Sequence, residues 1–319
     1  MSKISLTANA SLITQAVDAL RRGALVAFPT ETVYGLGGDA RNLEAIQRIY
    51  ALKGRPLDHP VIVHLAPDAD LNDWVSELPP AALALADAFW PGPLTLVLPR
   101  APGVLDAITG GQDTVALRKP AHPLAQALLS AFGGGLAGPS ANRYGRISPT
   151  SAAHVREEFG AQAPLILDGG DCTVGLESTI VGWLDGQLVQ LRPGQLSLSE
   201  LSRVAGPIVT SVATQKPRVS GSHESHYAPR TSTSLLNFDE ILAITTGKFA
   251  VLSLSTAPIT HKAALWLQAP DDAMRYGQQL YATLRQLDAC GCERILVERV
   301  PEGDDWAAIR DRLTRAAAR

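Results

Sequence analysis

The stretch STIVGWLDGQLVQL, residues 178–191, indicates that the protein contains antiparallel strand pairing. It contains two apolar runs, Ser178 to Leu184 and Leu188 to Leu191, separated by Asp185-Gly186. An Asp-Gly pair between apolar runs is a strong short-range signal for a β-hairpin, because both residues tolerate a positive φ. The stretch therefore predicts two neighbouring antiparallel strands.

Strand and helix patterns interleave N-terminal to this hairpin. Short apolar runs bounded by Gly, Pro, Asp or a charge predict five further strands. They are Ala24 to Phe28, Val61 to Leu65, Leu94 to Leu98, Thr114 to Leu117 and Leu165 to Leu167. Helical patterns with start or stop residues lie between them, at Asn42 to Gly54, Leu124 to Phe132 and Ala152 to Phe159. This order predicts an α/β fold with a mixed, twisted sheet and flanking helices.

The last helical pattern of the N-terminal part is Leu198 to Val204. The segment Gly206 to Thr233 has no helical or strand periodicity and is rich in Pro, Gly, Ser and His. We expect a large first domain over residues 1–206, a linker over 207–233 and a small C-terminal α/β domain of Rossmann-like character over 234–319. Strand patterns at Phe249 to Leu254, Ala264 to Leu267 and Arg294 to Val297, a helix over Asp271 to Cys290 and a closing helix from Asp305 support the last of these.

The composition indicates a globular protein. Of the 319 residues, 46% are hydrophobic and 18% are charged, which is ample for a buried core. The formal net charge of -3 gives no general attraction to nucleic acid or membranes, so an anion site must be built locally. No stretch approaches the ~20 apolar residues of a membrane span, and we expect a cytoplasmic protein. Cys172, Cys290 and Cys292 are too few and wrongly spaced for a disulfide framework or a four-ligand zinc site.

Two common nucleotide-binding motifs do not occur in the sequence: GxxxxGK followed by Ser or Thr, and GxGxxG after a strand. Instead, loops rich in Gly, Pro and hydroxyl groups follow the predicted strands, and Lys53, Arg55, Arg118 and Arg192 lie at element ends. Lys53 and Arg55 alone could merely offset a helix dipole. Four such cations in a net acidic chain favour a site for anions.

Several motifs occur in a specific order along the chain. They are FPTETVYGLG from Phe28, KGRP from Lys53, WPGPLT from Trp90, GPSAN from Gly138, SPT from Ser148, LDGG from Leu167, GLESTIV from Gly175, LRPG from Leu191 and HYAP from His226. In content and order this series resembles the YrdC-like family, in the form of its two-domain members, the threonylcarbamoyl-AMP synthases. The motifs span about two-thirds of the chain.

The resemblance implies a YrdC-like fold and a nucleotidyltransferase. The implied reaction makes threonylcarbamoyl-AMP and pyrophosphate from L-threonine, bicarbonate and ATP, for the threonylcarbamoyladenosine modification of tRNA. Mg²⁺ is expected with ATP, without an assigned protein ligand. Contact with RNA or with a tRNA-modifying complex is a further expectation, and contact with a membrane is not expected.

The resemblance also implies roles for residues. Threonine is expected to be surrounded by Thr32, His64, Arg118, Gly138 and Ser178. ATP is expected to contact Arg55, His59, Thr114, Ser140, Asn142, Ser148, Arg192 and Tyr227. Because cations stabilise the transferring phosphate, Lys53, Arg55 and Arg192 are the predicted catalytic residues. The linker residues His223, His226 and Tyr227 are expected to cover the site as a lid.

Two other functions fit parts of the sequence. A cationic concave face could bind double-stranded RNA, although the acidic net charge disfavours this as the main function. Related domains in hydrogenase maturation proteins transfer carbamoyl groups, but they occur with zinc fingers, and here no CxxC pair is present.

Overall fold

The computed structural model of the chain describes residues 3–210, 217–221 and 226–318, with side chains from residue 10 onward. His223 of the predicted lid lies outside the described residues. Two sheets organise the described chain, and each carries helices.

Over the described residues, the larger sheet is mixed and has ten strands in the order β10-β9-β8-β4-β5-β3-β6-β2-β1-β7. Its strands are β1 (Val26–Phe28), β2 (Gly35–Asp39), β3 (Ile62–His64), β4 (Leu94–Pro99), β5 (Thr114–Arg118), β6 (Leu136–Ala137), β7 (Leu165–Ile166), β8 (Thr179–Leu184), β9 (Gln187–Arg192) and β10 (Ile208–Val209). The predicted hairpin is present, because β8 pairs antiparallel with β9. Asp185 and Gly186 between them have φ values of 48° and 76°.

The helices of this part are α1 (Lys3–Arg21), α2 (Leu43–Lys53), α3 (Pro80–Phe89), α4 (Asp106–Thr109), α5 (Pro123–Phe132), α6 (Ala152–Phe159) and α7 (Leu198–Ala205). The Asn42 side chain caps α2 by accepting from the amides of Glu44 and Ala45, and Gly54 ends it in the left-handed conformation. The sequence patterns predicted this helix with both of its ends.

Strand β2 was not predicted, since its sequence is GLGGD. It pairs with β1, and two of its glycines, Gly35 and Gly37, lie against the ring of Phe28. A Cβ added at Gly35 or Gly37 would lie 2.9 Å or 3.0 Å from ring carbons of Phe28. The absence of side chains is therefore what allows this strand to lie beside the aromatic ring.

The smaller sheet is wholly parallel, in the order β11-β14-β12-β13. Its strands are β11 (Ser232–Leu236), β12 (Phe249–Ser253), β13 (Leu265–Gln268) and β14 (Arg294–Glu298), and its helices are α8 (Phe238–Leu242), α9 (Ala273–Asp288) and α10 (Ala307–Ala317). The buried face of α9 presents Leu280, Leu284 and Leu287 to the core of this part. The predicted α/β character of the C-terminal part is confirmed.

The segment predicted to link the two parts carries regular structure at both of its ends. Ile208 and Val209 form β10, which pairs with β9 of the larger sheet. Ser232 begins β11 of the smaller sheet. The boundaries of the linker at residues 207 and 233 stay a prediction. Over the described parts of the chain, no helix is both long and apolar enough to cross a membrane.

Candidate functional site

A cavity of about 40 Å³ lies where loops and strand ends of the larger sheet meet the segment between the two sheets. The loop after β1 and the ends of β3, β5 and β9 contribute to it. Nine predicted site residues line it: Thr32, Arg55, His64, Arg118, Gly138, Ser140, Ser178, Arg192 and Tyr227. Folding therefore brings together turns that are far apart in the sequence.

Arg118 is held rigidly at one side of the cavity, with only 3% of its surface exposed. Its Nη1 donates to Oγ1 of Thr32 at 2.7 Å, and its Nε donates to the carbonyl of Gly92 at 3.1 Å. Its Nη2 forms a 2.6 Å ion pair with Glu31. The second carboxylate oxygen of Glu31 accepts the amide of Ala121 at 3.0 Å. The guanidinium is thus oriented before any substrate arrives.

His64 is buried beside Arg118 at the end of β3. Its ring forms a T-shaped contact with the Phe28 ring, with an interplanar angle of 83° and a centroid distance of 5.5 Å. Its Nδ1 has no hydrogen-bond partner among the described residues. Burial, together with the Arg118 charge, lowers the pKa of His64 to about 3. The imidazole is therefore neutral near pH 7, with one nitrogen available to a ligand.

Ser178 and Arg192 also line the cavity. The Ser178 hydroxyl lies 2.7 Å from Oγ1 of Thr95. Nη2 of Arg192 donates to the Ser178 carbonyl at 2.9 Å and to its hydroxyl at 3.2 Å. Nη1 of Arg192 donates to the carbonyl of Ser220 at 2.6 Å. Arg192 thus joins the start of β8 to the segment that covers the cavity.

Lys53 and Arg55 differ in position. The buried ammonium of Lys53 donates to the carbonyls of Ser140 and Asn142, at 2.6 Å and 2.5 Å, and Lys53 is not among the lining residues. Burial and the nearby Arg55 charge lower the pKa of Lys53 well below its ordinary value. Arg55 lines the cavity and donates to the carbonyl of Pro60 at 2.7 Å, while its Nε has no partner among the described residues. Lys53 holds the GPSAN loop, whereas Arg55 faces the cavity.

Four residues of the predicted ATP set lie outside the cavity lining: His59, Thr114, Asn142 and Ser148. Asn142 donates to the carbonyls of Arg143 and Arg146, which stabilises its own loop. Thr114 begins β5, whereas Arg118 at the far end of the same strand lines the cavity. Four steps along a strand amount to about 13 Å.

A buried carboxylate that the sequence did not single out also lines the cavity. Oε1 of Glu177 accepts from the Ser148 hydroxyl at 2.6 Å, and Oε2 accepts from Tyr281 and Arg312, each at 2.8 Å. Burial alone would raise the pKa of Glu177, but Arg312, Arg192 and the Ser148 hydrogen bond outweigh it and lower the pKa to about 2. Glu177 could have been identified from the sequence, because it lies within a motif of a cation-rich site. No sequence feature pointed to Tyr281 or Arg312.

Described residues of the segment between the sheets cover part of the cavity. Ser220, Gly221, His226 and Tyr227 all line it. Tyr227 has a φ of 61°, its ring stacks on Tyr281 at 5.7 Å, and its hydroxyl has no partner among the described residues. Within the described chain, no group of three or more His, Cys, Asp or Glu side chains could hold a metal ion.

Sequence and structure comparisons agree on the family. The Sua5/YciO/YrdC family profile, described as "Telomere recombination", matches residues 18–194, and the profile described as "Threonylcarbamoyl-AMP synthase, C-terminal domain" matches residues 196–318. A threonylcarbamoyl-AMP synthase of Pyrococcus abyssi is 38% identical over 95% of this chain and 93% of its own length. One from Bacillus subtilis is 37% identical over 98% of this chain and 94% of its own length.

A solved structure of Pyrococcus abyssi Sua5 complexed with L-threonine has a TM-score of 0.87 and 38% identity, covering 96% of this chain and 94% of that one. The fold and the site thus define a two-domain enzyme of the nucleotidyltransferase class. The chain belongs to the Sua5/YciO/YrdC family of threonylcarbamoyl-AMP synthases. The predicted family, fold class and activity are confirmed by these relatives.

Proposed function

We propose that the cavity binds L-threonine and ATP side by side and joins them, with bicarbonate, into threonylcarbamoyl-AMP and pyrophosphate for tRNA modification in the cytoplasm. The observation that carries this proposal is the convergence of Arg118, Ser178 and Arg192 on one buried cavity. A relative with the same fold, Sua5 of Pyrococcus abyssi, is complexed with L-threonine.

Threonine occupies the side of the cavity lined by Arg118. The guanidinium there suits a carboxylate, and its bond to Thr32 fixes its direction. The neutral His64 offers a hydrogen-bonding nitrogen without adding a second cation. The Ser178 hydroxyl suits the side-chain hydroxyl of the amino acid. Such a polar partner is needed because one methyl group contributes only about 1–3 kcal/mol of discrimination.

ATP occupies the side lined by Arg55, Ser140 and Arg192. The threonine amine first adds to bicarbonate and loses water, which gives a carbamate. A carbamate oxygen then forms a bond to the α-phosphorus, and the bond from that phosphorus to the bridging oxygen breaks and releases pyrophosphate. No enzyme nucleophile takes part. Arg55 and Arg192 orient the phosphates and stabilise the charge that develops on them.

In this proposal Lys53 positions the GPSAN loop and does not make the predicted contact with phosphate. Its ammonium donates to two carbonyls of the GPSAN loop, so it presents Ser140 to the cavity. Four residues of the predicted ATP set act on ATP only through their neighbours in the arrangement described: His59, Thr114, Asn142 and Ser148. Direct contact with ATP would require the covering segment to move first.

The covering segment acts as a lid. In this arrangement the cavity has a volume of about 40 Å³. Pockets for ligands of drug size span about 300–1,000 Å³. Arg55 and Arg192 both approach Ser220, so ATP must displace this segment from them. Closure after binding then excludes water from the adenylate.

Mg²⁺ accompanies the triphosphate in this proposal. Among the described lining residues Glu177 is the one carboxylate, and its oxygens accept from Ser148, Tyr281 and Arg312. These donors leave it poorly suited as a metal ligand. The ion is therefore held by phosphate and water, as is common for Mg²⁺ with nucleotides, and it neutralises phosphate charge.

The test is pyrophosphate release from ATP and bicarbonate with threonine, serine or alanine. We expect release with threonine, and much slower release with alanine, which has no hydroxyl. Equal rates with all three amino acids would contradict the threonine assignment. Salt-dependent retention of RNA without threonine-dependent pyrophosphate release would instead support the RNA-binding alternative.

A further inference from the structure

Arg312, on α10 of the smaller sheet, reaches into the site of the larger sheet. Its side chain has no exposed surface. Its Nε pairs with Glu177 at 2.8 Å, and its Nη2 donates to the carbonyl of Pro193 at 3.1 Å. Glu177 directly precedes Ser178, and Pro193 directly follows Arg192. One guanidinium therefore holds the neighbours of two cavity residues.

Tyr281, on α9, supports the same carboxylate. Its hydroxyl donates to Oε2 of Glu177 at 2.8 Å, beside the Arg312 contact. The other oxygen of Glu177 accepts from Ser148 of the larger part. Two donors from the smaller part and one from the larger part thus fix the orientation of Glu177, whose side chain lines the cavity.

The same two residues hold the cover of the cavity. The guanidinium carbon of Arg312 lies 5.1 Å from the centre of the Tyr227 ring, and the Tyr281 ring stacks on the same Tyr227 ring at 5.7 Å. The amide of His226 donates to the carbonyl of Arg315, also on α10, at 3.2 Å. The lid residues are therefore docked on the smaller part as well as on the cavity.

We propose that Tyr281 and Arg312 are positioning residues for the reaction: they hold Glu177, and with it Ser148 and Ser178, in place, and they seat Tyr227 over the cavity. The proposal rests on the activity proposed above. It assigns to the C-terminal part a share in catalysis without contact to a substrate.

The alternative is a pair that only glues the two parts together. A buried ion pair used only as glue can be replaced by apolar side chains of similar size with little loss, or with a gain, in stability. A single Arg312→Met change is different, because it leaves Glu177 buried without its charge partner, which is strongly destabilising. A pair that is only glue therefore predicts that Arg312→Lys and Arg312→Met lower stability but leave kcat/KM of the folded protein unchanged. A positioning role predicts a lower kcat/KM in the folded protein itself, and a larger loss for Met, which removes the charge beside Glu177, than for Lys, which keeps it.

The experiment compares Tyr281→Phe with Tyr276→Phe in the full chain. Both tyrosines are buried on α9, but only Tyr281 touches Glu177. We expect Tyr281→Phe to lower kcat/KM for ATP about tenfold, with changes in both KM and kcat. A factor of about ten is the typical effect of one lost hydrogen bond to a charged group. Tyr276→Phe should leave both constants unchanged. Thermal unfolding of each variant identifies losses that come from instability alone.

The second comparison is Arg312→Lys with Arg312→Met. We expect kcat/KM to fall in the order wild type, Lys, Met, with partial rescue by Lys. Equal kinetic constants for Tyr281→Phe and Tyr276→Phe, or a wild-type kcat/KM in the folded Arg312→Lys and Arg312→Met variants, would overturn the inference. If the wild-type chain itself releases no pyrophosphate with threonine, the proposed function fails instead, so the two failures are distinguishable.

Discussion

Arg192 donates a hydrogen bond of 2.6 Å to the backbone carbonyl of Ser220. The cation assigned to phosphate is therefore bonded to the lid in this arrangement. Phosphate and lid compete for the same guanidinium, so ATP binding and lid position are thermodynamically linked. A substitution that weakens the contacts between the lid and the cavity should therefore change nucleotide binding and product release.

Gly221→Ala tests this linkage. Gly221 has a φ of +82°, and a Cβ there would lie 2.1 Å from the Tyr227 hydroxyl. The left-handed conformation costs a non-glycine residue about 1–2 kcal/mol, and the clash adds to this. We expect faster trypsin cleavage after Arg218 and faster loss of threonylcarbamoyl-AMP to solution. Gly186→Ala is the control, since Gly186 has a φ of +76° with nothing within 4 Å of the added Cβ. Identical behaviour of the two variants would argue against the lid.

Arg118→Lys separates the threonine side from the ATP side. Lysine keeps a charge beside the buried Glu31 but cannot contact Thr32, Glu31 and Gly92 together. We expect the KM for threonine to rise about tenfold or more, while the KM for ATP changes little. Arg156→Lys is the matched control, because Arg156 forms an exposed pair with Asp168. A selective rise in the KM for ATP would refute the assignment.

Gly138→Ala probes the wall of the threonine pocket. The added Cβ would lie 2.7 Å from Nδ1 of His64 and 3.2 Å from the ring of Phe28. Because both rings are buried, the methyl group must displace His64 or occupy part of the cavity. We expect weaker threonine binding and a loss of about 1–3 kcal/mol in unfolding free energy. Gly303→Ala, where the added Cβ makes only an ordinary 3.7 Å contact, should change neither. Isothermal titration with threonine and urea unfolding measure both quantities.

His64 predicts a specific acid sensitivity of the fold. Its pKa is about 3 when folded, against about 6.5 in an unfolded chain. Between these values the unfolded state binds one more proton, so stability falls as the pH drops through 6.5. From pH 7.5 to pH 5 this single group accounts for about 2 kcal/mol.

Urea unfolding of wild type and His64→Gln across this range measures the difference. His226 also has a lowered pKa, caused mainly by burial, so the variant should lose part of the pH dependence and not all of it. Parallel curves for the two proteins would show that His64 is not buried as a neutral group.

The sequence was most informative where local chemistry alone dictates the backbone. Asp185 and Gly186 tolerate positive φ, so the hairpin was predictable, as was α2 between Asn42 and Gly54. Strand β2 could not be predicted from propensity, since it depends on the fit of Gly35 and Gly37 to Phe28. Helix α1 and helix α3 were likewise not anticipated.

The site was predictable through its motifs to the extent that they line one cavity. The direction of each side chain within a motif was not. Lys53 and Arg55 are two residues apart, yet one donates to carbonyls of a neighbouring loop and the other faces the cavity. Arg312 was missed for a different reason, because its role depends on how the two sheets pack together. The roles of the individual residues stay predictions until the variants are measured.

The burial of Arg312 against Glu177 has a consequence for anyone who dissects or recombines this protein. A fragment that ends before α9 would keep an anion in its interior after its cationic counterpart had been cut away, and a chimera with a foreign C-terminal half would face the same mismatch. A truncated or chimeric protein must therefore keep both Glu177 and Arg312 or replace both of them together.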